Sequence, residues 1–224
     1  MAQTYDLTHG KVTPIIFKFF FPMFLTNMLQ QIYTVADTAI VGKGLGDNAL
    51  AAVGNMSSLT FLIIGFSMGL ANGFSVSIAQ NFGAKNFNAL KKSIASSIVL
   101  SGIIAVILTF LSTFFLLPIL NLIRTDETII ADSLKYGYII FGGLAATIAY
   151  NLCACILRAL GDSKTPFIAI IISTILNIIL NCVFIFGFGT GVEGAASATI
   201  VSQLLSTAIC LVRLRKIDVI RLSA

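Results

Sequence analysis

The residue whose chemistry stands out in this chain is Asp37, an acidic side chain within a long apolar segment. A carboxylate is costly to place in hydrocarbon, so an ionisable residue inside a membrane span is by default a candidate functional site. Its negative charge can be balanced by a proton or by a small cation. Asp37 therefore predicts a site that binds one of these.

Three predicted helices each carry a stripe of polar residues at helical spacing. The stripes are Gln30, Tyr33 or Thr34, and Asp37 in the first helix; Thr174, Asn177 and Asn181 in the fifth; and Thr199, Gln203 and Ser206 or Thr207 in the sixth. Lipid satisfies none of these groups, so the simplest arrangement points the stripes at one another around a central cavity. Their oxygens suit a dehydrated alkali cation, and a lone buried carboxylate suits a proton equally well.

Two less specific interpretations stay open at this point. Asparagine and threonine stripes also serve as hydrogen-bonded contacts between membrane helices. Asp37 lies about 28 Å beyond Lys18 at a helical rise of 1.5 Å per residue, a distance that allows a position near the outer membrane interface. In that position the carboxylate would need no special role.

Composition places the chain in a membrane. It has 224 residues with a mean hydropathy of +0.98 and 10% charged residues, against about 25% charged in soluble domains. The net charge of +5 is expected to come from cationic loops that fix orientation. No basic cluster interleaved with aromatic residues indicates nucleic-acid binding.

The residue inventory disfavours enzymatic and cofactor chemistry. The predicted spans contain no nucleophile–base pair, no glycine-rich phosphate loop indicates ATP, and no organic cofactor is expected. His9 is expected to be a solvated tail residue, and the polar start of the chain does not resemble a cleavable signal peptide. The cysteines are expected to be free thiols in apolar surroundings; they are Cys153, Cys155, Cys182 and Cys210.

Six apolar segments are long enough to cross a bilayer, which takes about 20 residues. Continuous apolar runs, rather than alternation, argue against a membrane barrel. The glycine-rich stretch 42–48 is expected to form the turn between the first two spans. The prediction is an all-α, polytopic bundle with spans at about 14–41, 49–83, 89–122, 134–158, 165–187 and 193–213, between a tail at 1–13 and a tail at 214–224.

Loop charges predict that both termini are cytoplasmic. With six spans and an inside N-terminus, eleven of the 14 Lys and Arg residues face the cytoplasm, and only Lys43, Arg124 and Lys135 face out. Adding or removing one span would scramble this asymmetry. The predicted location is therefore the inner or plasma membrane of the cell.

Glycine and proline positions give two further expectations. Gly65, Gly69 and Gly73 recur at a spacing of four residues in the second span, a pattern typical of close packing between membrane helices. Pro22 and Pro118 are expected to kink the first and third spans.

Several motifs in this order resemble the N-terminal lobe of a multidrug and toxic compound extrusion (MATE) transporter, of the MOP superfamily. The matching stretches cover most of the chain. They are Pro22; Gln30-Gln31-x-Tyr33-x-x-x-Asp37-Thr38-x-x-Val41-Gly42; Ala49-Leu50-Ala51-Ala52-Val53-Gly54; Gly69-x-x-x-Gly73 with Ala79-Gln80-x-x-Gly83-Ala84; Leu157-Arg158-Ala159-Leu160-Gly161-Asp162-x-x-Thr165-Pro166; and Asn177-x-x-x-Asn181 followed by Gly191-Val192-x-Gly194-Ala195-Ala196.

The resemblance implies a fold, an activity and site residues. Family members have twelve helices in two six-helix lobes, and they exchange Na+ or H+ for cationic amphipathic organic molecules. The family's coupling carboxylate maps to Asp37, and the other positions of a possible Na+ or proton site map to Asn177, Asn181 and Thr199. Asn181 stands where archaeal-type members have Asp, which leaves Asp37 as the only formal charge. The residues that we assign to the cavity wall are Gln30, Tyr33, Thr34, Asn151 and Gln203.

The length of the chain departs from the family pattern, because members are about twice as long. The expected partners are membrane lipid, small organic cations, and either a missing C-terminal lobe or a second half-length chain. We expect the lobe alone not to transport. Two other functions stay open: a flippase of lipid-linked saccharides from the same superfamily, which the lack of cationic residues within the spans disfavours, and a non-transporting membrane subunit.

Overall fold

The computed structural model describes residues 12–217, with the side chains of 12–16, 18 and 19 left aside. His9 and most of the two predicted tails lie outside these residues. The described chain is all α-helical with no strand, as the sequence predicted. Its helices are α1 (Val12–Leu45), α2 (Asp47–Gly83), α3 (Phe87–Phe114), α4 (Leu116–Leu122), α5 (Glu127–Gly142), α6 (Leu144–Ala159), α7 (Lys164–Cys182, continued by a π-helical turn Val183–Gly187) and α8 (Val192–Arg215).

The link between α1 and α2 is much shorter than the sequence suggested. The stretch 42–48 was expected to be a turn, but α1 continues to Leu45 and α2 begins at Asp47. Gly46 alone separates them, with a φ of 86° that a residue without a Cβ adopts at little cost. Glycine content indicated a turn here, yet only one glycine has a non-helical conformation that ends α1.

Two of the predicted spans are broken. The span predicted at 89–122 consists of α3 and α4, which meet at Phe115. Pro118 has no N–H to bond the carbonyl of Phe114 and its ring crowds that carbonyl, so the helix is interrupted one turn before the proline. This break agrees with the kink expected at Pro118.

The span predicted at 134–158 is a bent pair. It begins earlier, at Glu127, where Asp126 caps α5 by accepting from the backbone N–H of Thr128 at 2.8 Å. It then bends by 45° between α5 and α6, at two consecutive glycines that are poor helix formers. Gly143 also lies against Ile200 of α8, where an added Cβ would collide.

Within residues 12–217, four helices are long and apolar enough to cross a membrane: α2, α3, α7 with its π-helical turn, and α8. The bent pair of α5 and α6 makes a fifth if it is taken as one span. α1 is 34 residues long, and the side chains of its first turns are among those left aside. The architecture is that of a multi-pass helical membrane protein.

The core is divided along α7 and α8 by their polar residues. One apolar cluster includes Tyr150, Leu157, Ile170 and Cys210, towards the predicted cytoplasmic end. The other packs around Met56, Leu116, Phe141, Ile185 and Ala196, towards the opposite end. The stripes on α7 and α8 fall between these two clusters in the sequence. The fold therefore surrounds a polar middle layer with apolar packing above and below.

The glycine run on α2 does not pack as expected. No atom of another element lies within 4 Å of a Cβ built on Gly65, Gly69 or Gly73, and all three glycines are exposed. The prediction of a close helix contact within this chain is therefore wrong for the described residues. The spacing correctly marks a smooth helix face, but sequence spacing alone does not say which helix covers it.

Candidate functional site

Asp37 lies in the interior, bonded to α7. Its side chain is 7% exposed, and its Oδ1 accepts a hydrogen bond from Asn181 Nδ2 at 2.6 Å. α1 continues for two further turns beyond it, to Leu45. The carboxylate therefore faces the interior of the helix bundle rather than its surface.

A chain of hydrogen bonds extends from Asp37 through three helices. Asn181 Nδ2 also donates to Asn177 Oδ1 at 2.9 Å, and Asn177 Nδ2 reaches Thr199 Oγ1 at 3.5 Å. Tyr33 OH donates to the same Thr199 oxygen at 3.2 Å. The four residues to which the resemblance assigns ion coupling are thus connected through one network, with Tyr33 joining from α1.

Helical spacing explains why these residues meet. Tyr33 and Asp37 are four apart on α1, and Asn177 and Asn181 are four apart on α7, so each pair shares a helix face. The two faces oppose one another. Thr199 fixes its own hydroxyl by donating to the carbonyl of Ala195 at 3.1 Å on α8.

The charge of Asp37 has no resident counter-charge. Asp37 forms no ion pair with any described Lys, Arg or His. Asn181 Oδ1 is fully buried and accepts no hydrogen bond, although buried acceptors normally find a partner. A carboxylate, a free amide oxygen and a threonine hydroxyl are hard oxygen donors, which a small monovalent cation prefers.

The donors do not form a transition-metal centre. Between residues 12 and 217, no group of three or more His, Cys, Asp or Glu is arranged to hold a metal ion. The three cysteines of α6 and α8 are buried free thiols, and Cys182 is an exposed one. The site chemistry therefore rests on one carboxylate and neutral oxygens.

Asp37 and Thr199 open onto a cavity of about 730 Å³. Of the lining residues that the structure describes, Asp37 alone carries a charge. All five residues predicted for the wall do line it, namely Gln30, Tyr33, Thr34, Asn151 and Gln203. Asn177 and Asn181 do not line it, because both are fully buried beside Asp37 and Thr199. The predicted wall is therefore observed, with the two asparagines set one layer behind it.

Several lining residues were missed from sequence. They are polar residues without a recognisable stripe: Gln31, Thr38, Ser57, Ser58, Thr60, Tyr136, Thr147, Ser173 and Ser202. Serine and threonine on membrane helices are weak signals because many bond their own backbone, as Ser57 does to the carbonyl of Val53. Tyr136 gave no signal in the sequence because no second polar lining residue stands at helical spacing from it on α5.

A second buried carboxylate lies at the loop between α6 and α7. Asp162 is 9% exposed, and its oxygens accept from Thr165 N at 3.0 Å, Thr165 Oγ1 at 2.8 Å and Arg213 Nε at 2.8 Å. Burial alone would raise the pKa of Asp162, but the hydrogen bonds from Arg213 and Thr165 outweigh it and hold the pKa below its ordinary value. This pair joins the start of α7 to the end of α8.

Apolar helices around a polar cavity, whose one described charged residue has no cationic partner, define a polytopic membrane protein. The chain matches the MatE family model over residues 22–183. It therefore belongs to the MatE family, whose members are transporters.

Similar proteins agree with this assignment. The chain is 36% identical over 218 residues to the probable multidrug resistance protein YoeA of Bacillus subtilis, covering 94% of this chain and 47% of that protein. It is 27% identical over 209 residues to the FAD transporter of Shewanella oneidensis, covering 88% and 45%. A crystal structure of MATE in the bent conformation superposes with a TM-score of 0.88 at 28% identity, covering 94% and 47%. The chain thus spans about half the length of the relatives it matches.

Proposed function

We propose that this chain forms half of a cation-coupled antiporter that exports cationic amphipathic drugs and other toxic organic compounds. One observation carries the proposal: among the described residues, Asp37 is the single charged residue that lines the cavity, and it has no cationic partner there. Burying an unpaired charge is costly. A mobile cation that binds there and leaves again would balance the charge only part of the time.

Competition for Asp37 supplies the exchange. Na+ or H+ would bind the carboxylate with the neutral oxygens of Asn181 and Thr199, and an organic cation would bind the same carboxylate from the cavity. Two cations that share one negative charge exclude each other, which couples the inward movement of one to the outward movement of the other. A volume of about 730 Å³ suits drug-sized ligands, whose sites are typically about 300–1,000 Å³. No further cofactor is needed.

The wall chemistry disfavours an anionic cargo. Lipid-linked saccharides carry a pyrophosphate, which proteins usually meet with arginine or lysine. No Lys or Arg is among the lining residues. These observations support an organic cation better than the cargo of a flippase. They also support it better than an anionic cargo such as FAD, for which the Shewanella relative is named.

The exposed surfaces of the described helices support a second six-helix unit as a partner. Asn27 and Asn72 are exposed on helices that would otherwise face hydrocarbon, and Gly69 is uncovered. A second copy, or the remainder of a longer chain, would cover these groups. We place the assembly in the cell membrane with both termini cytoplasmic, and we expect no export of ethidium from cells that contain this chain alone. Robust export by the chain alone would contradict this.

Binding of tetraphenylphosphonium to the purified chain in nanodiscs tests the proposal. We expect Asp37→Asn to weaken binding about hundredfold, since an ion pair of about 3 kcal/mol is lost. Asp132→Asn, which removes the same charge from α5 outside the cavity, is the matched control and should leave binding unchanged. Competition by NaCl, against choline chloride, or by acid identifies the coupling ion. Equal binding by wild type and Asp37→Asn would refute the proposal and favour a non-transporting subunit.

A further inference from the structure

The last turn of α1 packs against the π-helical turn of α7 more closely than a side chain would allow. A Cβ built on Gly44 would lie 2.5 Å from Ile185 Cγ2, and 3.1 and 3.2 Å from two ring atoms of Phe186. Carbon atoms in contact are normally about 3.5–4.0 Å apart. Phe186 is 60% exposed, so its ring has room to turn aside. The contact with Ile185 therefore requires glycine at position 44.

This contact lies on the same two helix faces as the hydrogen bond between Asp37 and Asn181. Gly44 follows Asp37 by seven residues on α1, and Ile185 follows Asn181 by four residues on α7, spacings that keep each pair on one face. The later residue of α1 meets the later residue of α7, so the two helices run in the same direction here. They therefore touch at two levels, first through a hydrogen bond of 2.6 Å and then through a glycine against a methyl group.

Ile185 is held firmly in place. Its side chain is 4% exposed and belongs to the apolar cluster at the predicted outer end, and a β-branched residue in a helix has one strongly preferred rotamer. The π-helical turn around it is closed by Phe188 N, which donates to the carbonyl of Val183 at 3.0 Å. Thr190 N and Oγ1 both donate to the carbonyl of Phe184, at 2.9 and 2.6 Å. The methyl group is thus a fixed stop for α1.

A side chain at position 44 would be felt at the carboxylate. To reach ordinary contact distance, the added Cβ would have to move away from Ile185 by roughly 1 Å. Because Gly46 ties the end of α1 to α2, the displacement is passed along α1 towards Asp37. A lengthening of that size takes the bond from Asn181, 2.6 Å long, beyond ordinary hydrogen-bond distance.

We infer that Gly44 is a positioning residue for the cation site, because its contact with Ile185 sets the distance between Asp37 and Asn181. The inference rests on the proposed function and adds to it a residue that does not line the cavity. The hydrogen bond from Asn181 stabilises the ionised carboxylate, which is the form that binds a cation. A wider separation therefore weakens cation binding although every residue of the site is retained.

Crowding and rescue of this contact test the inference. Gly44→Ala introduces the Cβ. Combining it with Ile185→Leu makes room, because leucine has no methyl group on its Cβ, whereas combining it with Ile185→Val keeps the clash. Dissociation constants of tetraphenylphosphonium are measured on the full chain in nanodiscs. Gly44→Ala, alone or with Ile185→Val, is expected to weaken binding about tenfold, a typical effect of losing one hydrogen bond to a charged group. The combination with Ile185→Leu should bind as the wild type does.

A spectroscopic readout follows the hydrogen bond itself. The side-chain amide resonance of Asn181, identified by its absence from the nuclear magnetic resonance spectrum of Asn181→Leu, reports its bond to Asp37. This resonance should shift in Gly44→Ala and return to its wild-type position when Ile185→Leu is added. Gly54→Ala is the matched control, since a Cβ at that helical position meets nothing within 4 Å. It should change neither the dissociation constant nor the resonance.

The two readouts separate this inference from the proposed function. A resonance that shifts in Gly44→Ala while tetraphenylphosphonium binding stays unchanged would uphold the positioning role and contradict cation binding at Asp37. An unchanged resonance, or one that Ile185→Leu does not restore, would overturn the inference and leave Gly44 with a packing role. If Gly44→Ala does not fold, Ile185→Ala empties the same contact without crowding it and should also shift the resonance. An unshifted resonance in Ile185→Ala would then overturn the inference.

Discussion

Two aspartates are buried to a similar degree in this chain, and they are balanced in different ways. Asp162 is held by a guanidinium and by two donors of Thr165, all from the same chain. Asp37 has one amide donor, Asn181, and opens onto a cavity. The first carboxylate is paired with Arg213, whereas the second has no cationic partner among the described residues, and we propose that a cation from outside the protein balances it.

The contrast separates a carboxylate held in an ion pair from one without a charged partner among the described residues. Breaking a buried pair leaves an uncompensated charge and is strongly destabilising, so the pair between Asp162 and Arg213 is a fixed tie between α7 and α8. Asp37 lacks such a tie to a charged residue. Giving Asp37 a resident cation, or removing the donors that hold Asp162, tests this contrast.

The largest effect is expected from Asn181→Lys. The lysine would place an ammonium beside Asp37 and convert the site into a structural pair like that of Asp162. Binding of tetraphenylphosphonium should fall at least about hundredfold, an effect of roughly 3 kcal/mol, because the carboxylate is already neutralised.

The double variant Asp37→Asn with Asn181→Lys controls for simple disruption. It leaves the lysine buried without its partner, so its thermal unfolding midpoint should be lower than that of Asn181→Lys alone. Reaction of a thiol dye with the buried cysteines of α6 and α8 reports unfolding. Equal midpoints would show that the lysine does not pair with Asp37.

The next largest expected effect is a loss of stability in the variant Arg213→Gln. This change removes the guanidinium from Asp162 and should destabilise the protein by about 2 kcal/mol, with the cost moderated because Arg213 is partly exposed. For a chain of this size the midpoint should fall by roughly 4–8 °C. Arg215→Gln, an exposed cation two residues further on, should shift it by less than about 0.5 kcal/mol. Matching shifts in the two variants would contradict a special role for the pair.

A pH dependence should accompany the loss of the pair. The pKa of Asp162 is below its ordinary value in the folded protein, so its contribution is present above the unfolded value of about 3.9 and is lost as pH falls through the folded value. The stability difference between wild type and Arg213→Gln should therefore be full near pH 7 and shrink below about pH 4. Circular dichroism melts at several pH values measure this. A difference that grows on acidification would have the wrong sign.

The smallest effect is expected for Thr165→Val. The substitution deletes the hydroxyl that donates to Asp162 Oδ2 and leaves the backbone donor, at a cost of about 1 kcal/mol. Thr113→Val removes a hydroxyl that bonds only within α3 and should cost less. A Thr165→Val variant as stable as wild type would mean that Arg213 alone satisfies the carboxylate.

Much of the candidate site could be predicted because helical spacing is local information. Tyr33 and Asp37 on α1, and Asn177 and Asn181 on α7, face one way whatever surrounds them. Because lipid offers no hydrogen-bond partners, these polar faces turn toward the interior of the protein. The network between Asp37, Asn181, Asn177 and Thr199 follows from this, although its role in ion coupling stays a prediction.

The features that were missed depend on tertiary context. Whether the face of Gly65 is covered depends on a neighbouring element, and periodicity contains no such information. In the described structure, Asn151 Nδ2 and Ser202 Oγ make no hydrogen bond, and this likewise depends on which groups of other helices come within reach. Asp162 appeared in a loop motif, but its bond to Arg213, 51 residues later, has no local signature.

The single-residue junction at Gly46 constrains how the helix that carries Asp37 can move. Successive Cα atoms are only about 3.8 Å apart. The last turn of α1 therefore stays close to the first turn of α2. A movement of α1 that separates Asp37 from Asn181 while α2 stays in place would therefore be a rotation about Gly46 rather than a translation along the helix axis. Such a rotation would produce its largest displacement at the N-terminal end of this 34-residue helix.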